Sequence, residues 1–200
     1  MLTMQRLLFL NITIQTMTII KTTLPATSLL NQTGRRYDYA DSFQGIIPDK
    51  ENKLQPAGIC KAFFLSTPKW IKKLLGLRNV IVGMFGLKTS GNVDPKQMLE
   101  NFKCDQGDRI GLFKVFEKTD NEVILGEDDK HLNFRISFFL DKFRENENEK
   151  QLTISTIVVF KNLFGRLYFL LIKPLHKFIV PAMLKSIIQS TVTTGTSNYH

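Results

Sequence analysis

Asp128, Asp129, Lys130 and His131 stand consecutively in the chain, two carboxylates and an imidazole that could pass protons near neutrality. The same run is what a solvated hairpin turn looks like, and the chain supplies no visible partner beside it. Tyr39 and Asp41, two positions apart in YDYADSF, share one face of an extended strand and offer a hydrogen-bonding pair. His176 lies beside an apolar helical stripe, within reach of a ligand or of Phe169 and Ile172. Arg78, next to Asn79, has the planar fork that holds a carboxylate bidentately, or that pairs at a helix junction. Arg78, His131, Arg135 and His176 are the polar candidates, and groups such as Tyr39, Arg135 and His131 could work inside an apolar pocket as an enzyme of the cyclase, hydratase or lyase kind.

Stronger signals are missing. The sequence has no serine nucleophile elbow, HExxH pair, Walker loop or GxGxxG run, so hydrolase, zinc-protease, NTPase and dinucleotide-dependent readings have nothing to rest on. Cys60 and Cys104 are the two cysteines, far apart and outside any CxxC or Cys/His cluster. They read as free thiols in a reducing, cytoplasmic setting, and neither a metal nor a cofactor is expected.

Two hundred residues, 43% of them hydrophobic, suffice for one domain with a core that needs no staple. Sixteen Phe against one Trp and four Tyr predict a core of aromatic rings without polar handles. The net charge of +9 comes from scattered Lys, with no Arg-rich block or basic–aromatic interleaving, which argues against nucleic acid. The basic stripe Arg166, Lys173 and Lys177 allows a weak peripheral contact with anionic lipid, at about 1 kcal/mol per charge.

The uncharged stretch Leu7 to Ile20 is broken by Asn11, Thr13, Gln15, Thr16 and Thr18, so it reads neither as a leader nor as a membrane span, and no integral insertion is expected. Residues 1–16 are expected to be an extension, 17–189 a single α+β domain and 190–200 a polar tail; whether translation starts at Met1 or Met17 stays open.

Within the domain, strands are expected near Met17 and over Tyr37–Phe43. A helix opens at Pro56, and a second follows the start signal Ser66-Thr67-Pro68 and carries Trp70 onward to Phe85. Strands then span Arg109–Lys118, Glu122–Glu127, His131–Asp141 and Gln151–Lys161, with Asn146–Lys150 as an acidic loop. In HLNFRISFFLD, Leu132, Phe134, Ile136, Phe138 and Leu140 share one face and His131, Asn133 and Arg135 the other, the alternation of a sheet covered on one side. From Asn162 to Gln189 the period becomes helical, with Phe164, Leu167, Tyr168, Leu171, Leu175, Phe178, Ile179 and Ala182 on one stripe. That helix is roughly 40 Å long, and a bend or break is expected at Pro174 and Pro181.

Five segments in order, YDYADSF, GLRNVIVGMFGL, GDRIGLFKVF, GEDDKHLNFR and NLFGRLYFLLIKPLHKFIVPAM, resemble the bacterial family catalogued as domain of unknown function 2867, over roughly residues 18 to 188. The element order is similar to that of the START-like (Bet v 1-like, SRPBCC) helix-grip folds. The resemblance implies a curved antiparallel sheet wrapped around a long C-terminal helix, two helices inserted after the early strands, and a cavity for a lipid-like or small molecule; it implies no activity.

A sheet gripping one helix leaves a hollow lined by both, so the leading expectation is a binding domain for a small apolar or amphipathic ligand. Its lining candidates are Tyr39, Asp41, Trp70 and Phe85, then Phe134, Phe138 and Thr156 from the sheet, and Leu171 and Ala182 from the last helix.

Overall fold

The computed structural model describes residues 18–32, 34, 36–74, 76, 99, 102–144 and 146–196. Among the described residues, seven strands form one sheet: β1 (Ile20–Thr22), β2 (Tyr39–Pro48), β3 (Arg109–Ile110), β4 (Phe113–Lys118), β5 (Glu122–Asp128), β6 (Leu132–Phe143) and β7 (Asn146–Phe160). The spatial order is β1-β2-β7-β6-β5-β4-β3, and every neighbouring pair is antiparallel. Hairpins generate β3 to β7 in sequence, and β2 then pairs β7 along its whole length, from Tyr39 opposite Val158 to Pro48 opposite Glu149. The described residues also form α1 (Leu29–Gln32), α2 (Pro56–Leu65) and α3 (Leu163–Thr196); residues 69–74 are helical too. The architecture is an α+β helix grip, a curved antiparallel sheet with a long C-terminal helix and two helices after the early strands.

Alternation decides which side of the sheet is covered. Phe43 and Ile47 of β2, Leu152 and Ile154 of β7, Phe138 and Leu140 of β6, and Val123 and Leu125 of β5 form one core with α2 and with Val180, Leu184, Ile187 and Ile188 of α3. The opposite face is sealed locally by residues 24–30, where Leu30 packs on Ile124 and Ile157.

Two strand boundaries differ from the sequence expectation. Arg109–Lys118 is two strands rather than one, because Gly111 takes φ +56°, a left-handed turn that glycine enters without steric cost. Asn146–Lys150 is not a loop: β7 begins at Asn146, and Lys142 pairs with Lys150. A hairpin end projecting into water needs ladder bonds but no apolar face, so its charged residues disguise it.

The apolar stripe expected for the last helix faces the wrong way. Phe169, Val180, Met183, Leu184, Ile187 and Ile188 are buried, whereas Leu167, Leu171 and Phe178 are 56%, 71% and 71% exposed. The helix continues without a break through Pro174 and Pro181 to Thr196, seven residues past Gln189.

Asn162 caps the start of α3, its Oδ1 accepting from the Gly165 N–H at 3.0 Å. Gly165 is placed so tightly that a Cβ there would lie 2.1 Å from the His131 carbonyl oxygen. Backbone cannot yield as a side-chain tip can, so Gly165→Ala is expected to lift the helix start and cost about 1–3 kcal/mol. Thermal denaturation checks this, and an unchanged midpoint would show that the helix start slides freely.

Candidate functional site

β2 carries Tyr39 and Asp41 on its covered face, directly under the part of α3 that contains His176. The Asp41 side chain is 3% exposed. Its Oδ2 accepts the Tyr39 phenol at 2.5 Å and lies 3.0 Å from Nδ1 of His176. Burial, then the hydrogen bond to Asp41 and the Asp41 charge, push the Tyr39 phenol far above its ordinary value. Tyr39 therefore keeps its proton and acts as a donor. Its ring is fixed by Phe169, with centroids 4.7 Å apart, and by the edge of His176 at 6.1 Å. The Lys173 ammonium stands 5.5 Å from the centroid of the same ring, within cation–π range.

The other oxygen of Asp41 is the unusual atom. Oδ1 is buried and has no hydrogen-bond partner, and Oγ1 of Thr156 is in the same condition. Asp41 and Thr156 are direct partners across the β2–β7 ladder, so their side chains share a face with Cβ atoms about 5 Å apart. An unmet buried polar group costs about 1–3 kcal/mol; two side by side mark a place where one outside group could satisfy both. Around them lie Tyr39, Phe43, Ile154 and Val158, and Phe169 against Tyr39.

The remaining candidates are dispersed. Phe138 and Phe134 join Phe63, Phe64, Phe102 and Phe113 in a chain of edge-to-face rings over β4–β6. Ala182 is half-buried, while Trp70 and Leu171 project outward at 45% and 71% exposure; Leu171 cannot face a hollow beneath the helix because the buried stripe is the other one. Arg78 and Phe85 lie outside the described residues.

His131 neighbours Asn162 and stacks on Phe164 at 4.6 Å, buttressing the helix start. Arg135 lies on the opposite face, its guanidinium 3.5 Å from the Phe116 centroid and 2.8 Å from Asp128. The Asp128–His131 run is thus a hairpin turn, with Asp128 held by Arg135 and Asp129 accepting from the Lys130 backbone N–H. Among the described residues no group of three His, Cys, Asp or Glu is placed to hold a metal ion.

Two open hollows are outlined by described residues. One of about 380 Å³ is lined by Arg36, Asn133, Phe134, Arg135, Ile157 and Val159, and one of about 240 Å³ by residues 160–163 and Arg166. Neither touches Asp41, Thr156 or His176. Cys60 and Cys104 are free and fully buried; their mutual hydrogen bond, with burial adding to it, raises the Cys60 thiol above its ordinary value, and the same bond lowers the Cys104 thiol against the opposing effect of burial.

Each of Tyr39, Asp41, Thr156 and His176 is visible in the sequence as a candidate, but the pairing of Asp41 with His176, 135 residues apart, has no sequence signal, since it depends on where α3 crosses β2.

No curated protein and no solved structure matches the chain. Its residues 34–183, which include every member of the Tyr39–Asp41–Thr156–His176 site, match the model of a family described as protein of unknown function, DUF2867, and to that family the chain belongs.

Proposed function

We propose that the protein is a START-like binding domain for a small amphipathic molecule bearing a hydroxyl group, held with that hydroxyl between Asp41 and Thr156. The observation that carries this reading is the pair of buried, unpartnered oxygens, Asp41 Oδ1 and Thr156 Oγ1. A carboxylate oxygen can only accept, whereas a threonine hydroxyl both donates and accepts. A ligand hydroxyl matches both, donating to Oδ1 and accepting from Oγ1–H. An ammonium also matches by hydrogen bonding, but it meets the Lys173 charge near Tyr39; a ligand carboxylate meets Asp41 itself. Tyr39 and His176 hold Oδ2 and so keep Oδ1 directed away from them.

Native mass spectrometry of freshly purified protein, followed by mild release, identifies what co-purifies. Titration then compares decanol with decanoic acid: decanol is expected to bind more tightly. Thr156→Val, which keeps shape and removes the hydroxyl, is expected to weaken decanol about fivefold, the worth of one ordinary hydrogen bond. Equal binding of alcohol and acid, or unchanged decanol affinity in folded Thr156→Val, would overturn the reading, as would a protein that releases nothing and binds neither.

A second reading, a cavity enzyme of the cyclase, hydratase or lyase type, is favoured by one contact. His176 meets the carboxylate through Nδ1, which orients the imidazole and leaves Nε2 to act as a base. Turnover of a hydroxyl-bearing substrate that is lost in His176→Gln while binding persists would select this reading.

A further inference from the structure

The first half of α3 presents its most apolar side to water. Leu163, Leu167, Leu170, Leu171 and Phe178 are each more than half exposed. At 100° per residue they fall, with Pro174, within an arc of roughly 100°. This arc lies opposite the buried Phe169, Val180, Met183 and Ile187. Arg166, Lys173 and Lys177 form a column along one border of the arc. Arg166 is 4.0 Å from Asp38, and Lys173 leans over Tyr39. The helix itself contains no acidic residue, and no Asp or Glu follows Glu149 anywhere in the sequence.

By length and composition, Leu163–Val192 could cross a membrane. Its second half is committed elsewhere, since Met183, Leu184, Ile187 and Ile188 are at most 2% exposed within the protein core. A helix fixed in this way can lie on a bilayer but cannot thread it. An apolar arc bordered by cations is the pattern of an interfacial helix, whose leucines enter the acyl boundary while Lys and Arg stems reach back to headgroup phosphates. The basic residues lie on the side of the helix opposite the apolar stripe expected from the sequence, but they border the apolar arc that is exposed.

We infer that this face of α3 docks the protein on an anionic lipid bilayer, with Leu163, Leu167, Leu170, Leu171 and Phe178 inserted and Arg166, Lys173 and Lys177 at the phosphates. Charge complementarity selects this occupant. The inference does not depend on the proposed ligand, because the inserted apolar side chains lie on the side of α3 opposite its buried stripe.

Co-sedimentation of the full chain with vesicles of phosphatidylcholine alone, and of equimolar phosphatidylcholine and phosphatidylglycerol, tests the docking without any ligand. The wild-type protein is expected to pellet with the anionic vesicles and to be released by salt only in part. Leu167→Ser/Leu171→Ser/Phe178→Ser, at exposed positions, is expected to stay folded by circular dichroism and to lose more than about a hundredfold in partitioning. Lys173→Gln/Lys177→Gln is expected to lose about thirtyfold on anionic vesicles, at roughly fivefold or more per charge. Absence of pelleting by the wild-type chain, or full pelleting by the folded triple variant, overturns the inference. So does a stable dimer that the triple variant dissociates, which assigns the face to a second copy, or pelleting that appears only after residues 1–17 are removed, which assigns it to that segment.

Discussion

Glu122→Ala is expected to lower the stability of the fold by about 3–5 kcal/mol, since a buried donor left unmet costs about 1–3 kcal/mol and this change leaves more than one. Glu122 is 1% exposed, yet its carboxylate is well supplied with donors. Oε1 accepts from the hydroxyls of Ser28, at 2.6 Å, and Ser137, and Oε2 accepts from the backbone N–H of Leu29 at 2.7 Å. Truncation strands all three donors at once, and with them the attachment of residues 24–30 to the outer side of the sheet. Glu122→Gln keeps an acceptor oxygen and should recover a large part of the loss. Urea denaturation of the three proteins reads the difference. A loss below about 1 kcal/mol in the Ala variant would mean that this face is held by Leu30 on Ile124 and Ile157 alone.

Phe138→Ala is expected to cost about 3–5 kcal/mol as well, through lost burial and the cavity left behind. Phe138 is fully buried and meets Phe63 edge to face, at 5.1 Å between centroids. Around it the rings of Phe64, Phe113 and Phe134 are already linked to each other, so the site can relax little. Leu171→Ala removes a side chain of comparable hydrophobicity and is expected to stay within about half a kcal/mol. If both substitutions cost the same, the helix would be rotated from the position described, and its leucines would belong to the core.

That comparison also marks the boundary of what the sequence makes legible. In β6 the two-residue alternation of Phe134, Ile136, Phe138 and Leu140 with Asn133, Arg135 and Ser137 leaves one choice of core face, and Ile136, Phe138 and Leu140 take it; the other face, expected to be wet, is covered as well, with Ser137 and Phe139 buried. In α3 no such choice exists locally: residues 163 to 172 include Leu163, Phe164, Leu167, Phe169, Leu170, Leu171 and Ile172, apolar nearly all round. A stripe can be drawn on several sides of such a helix, and the side buried is decided by the sheet. Phe169 is selected because Tyr39 and Phe160 receive its ring.

The site behaves in the same way. Tyr39 and Asp41 are legible as a pair because the strand period puts them on one face. Thr156 is legible as a small polar residue in an apolar series. Their convergence with His176 is a property of the crossing between α3 and β2, a tertiary fact that neither segment encodes alone. His131 and Arg135, the more conspicuous polar groups in the sequence, are on the turn and on the opposite face, where Asn162 and Asp128 engage them.

The pairing of β2 with β7 also sets a timetable for the newborn chain. Ser42 and Ser155, hydrogen-bonded across that ladder, are 113 residues apart, and between them lie the hairpins that join β3 to β7. At ordinary elongation speeds a ribosome takes roughly 5 to 20 s to cover that distance. During this interval Phe43 and Ile47 have no sheet to cover them, and the long edge of β2 is open to any strand it meets. Chaperone occupancy during translation should therefore begin soon after β2 emerges and end only once β7 is clear of the exit tunnel. Synonymous changes that slow translation between the two strands should raise the aggregated fraction without altering the stability of the finished protein.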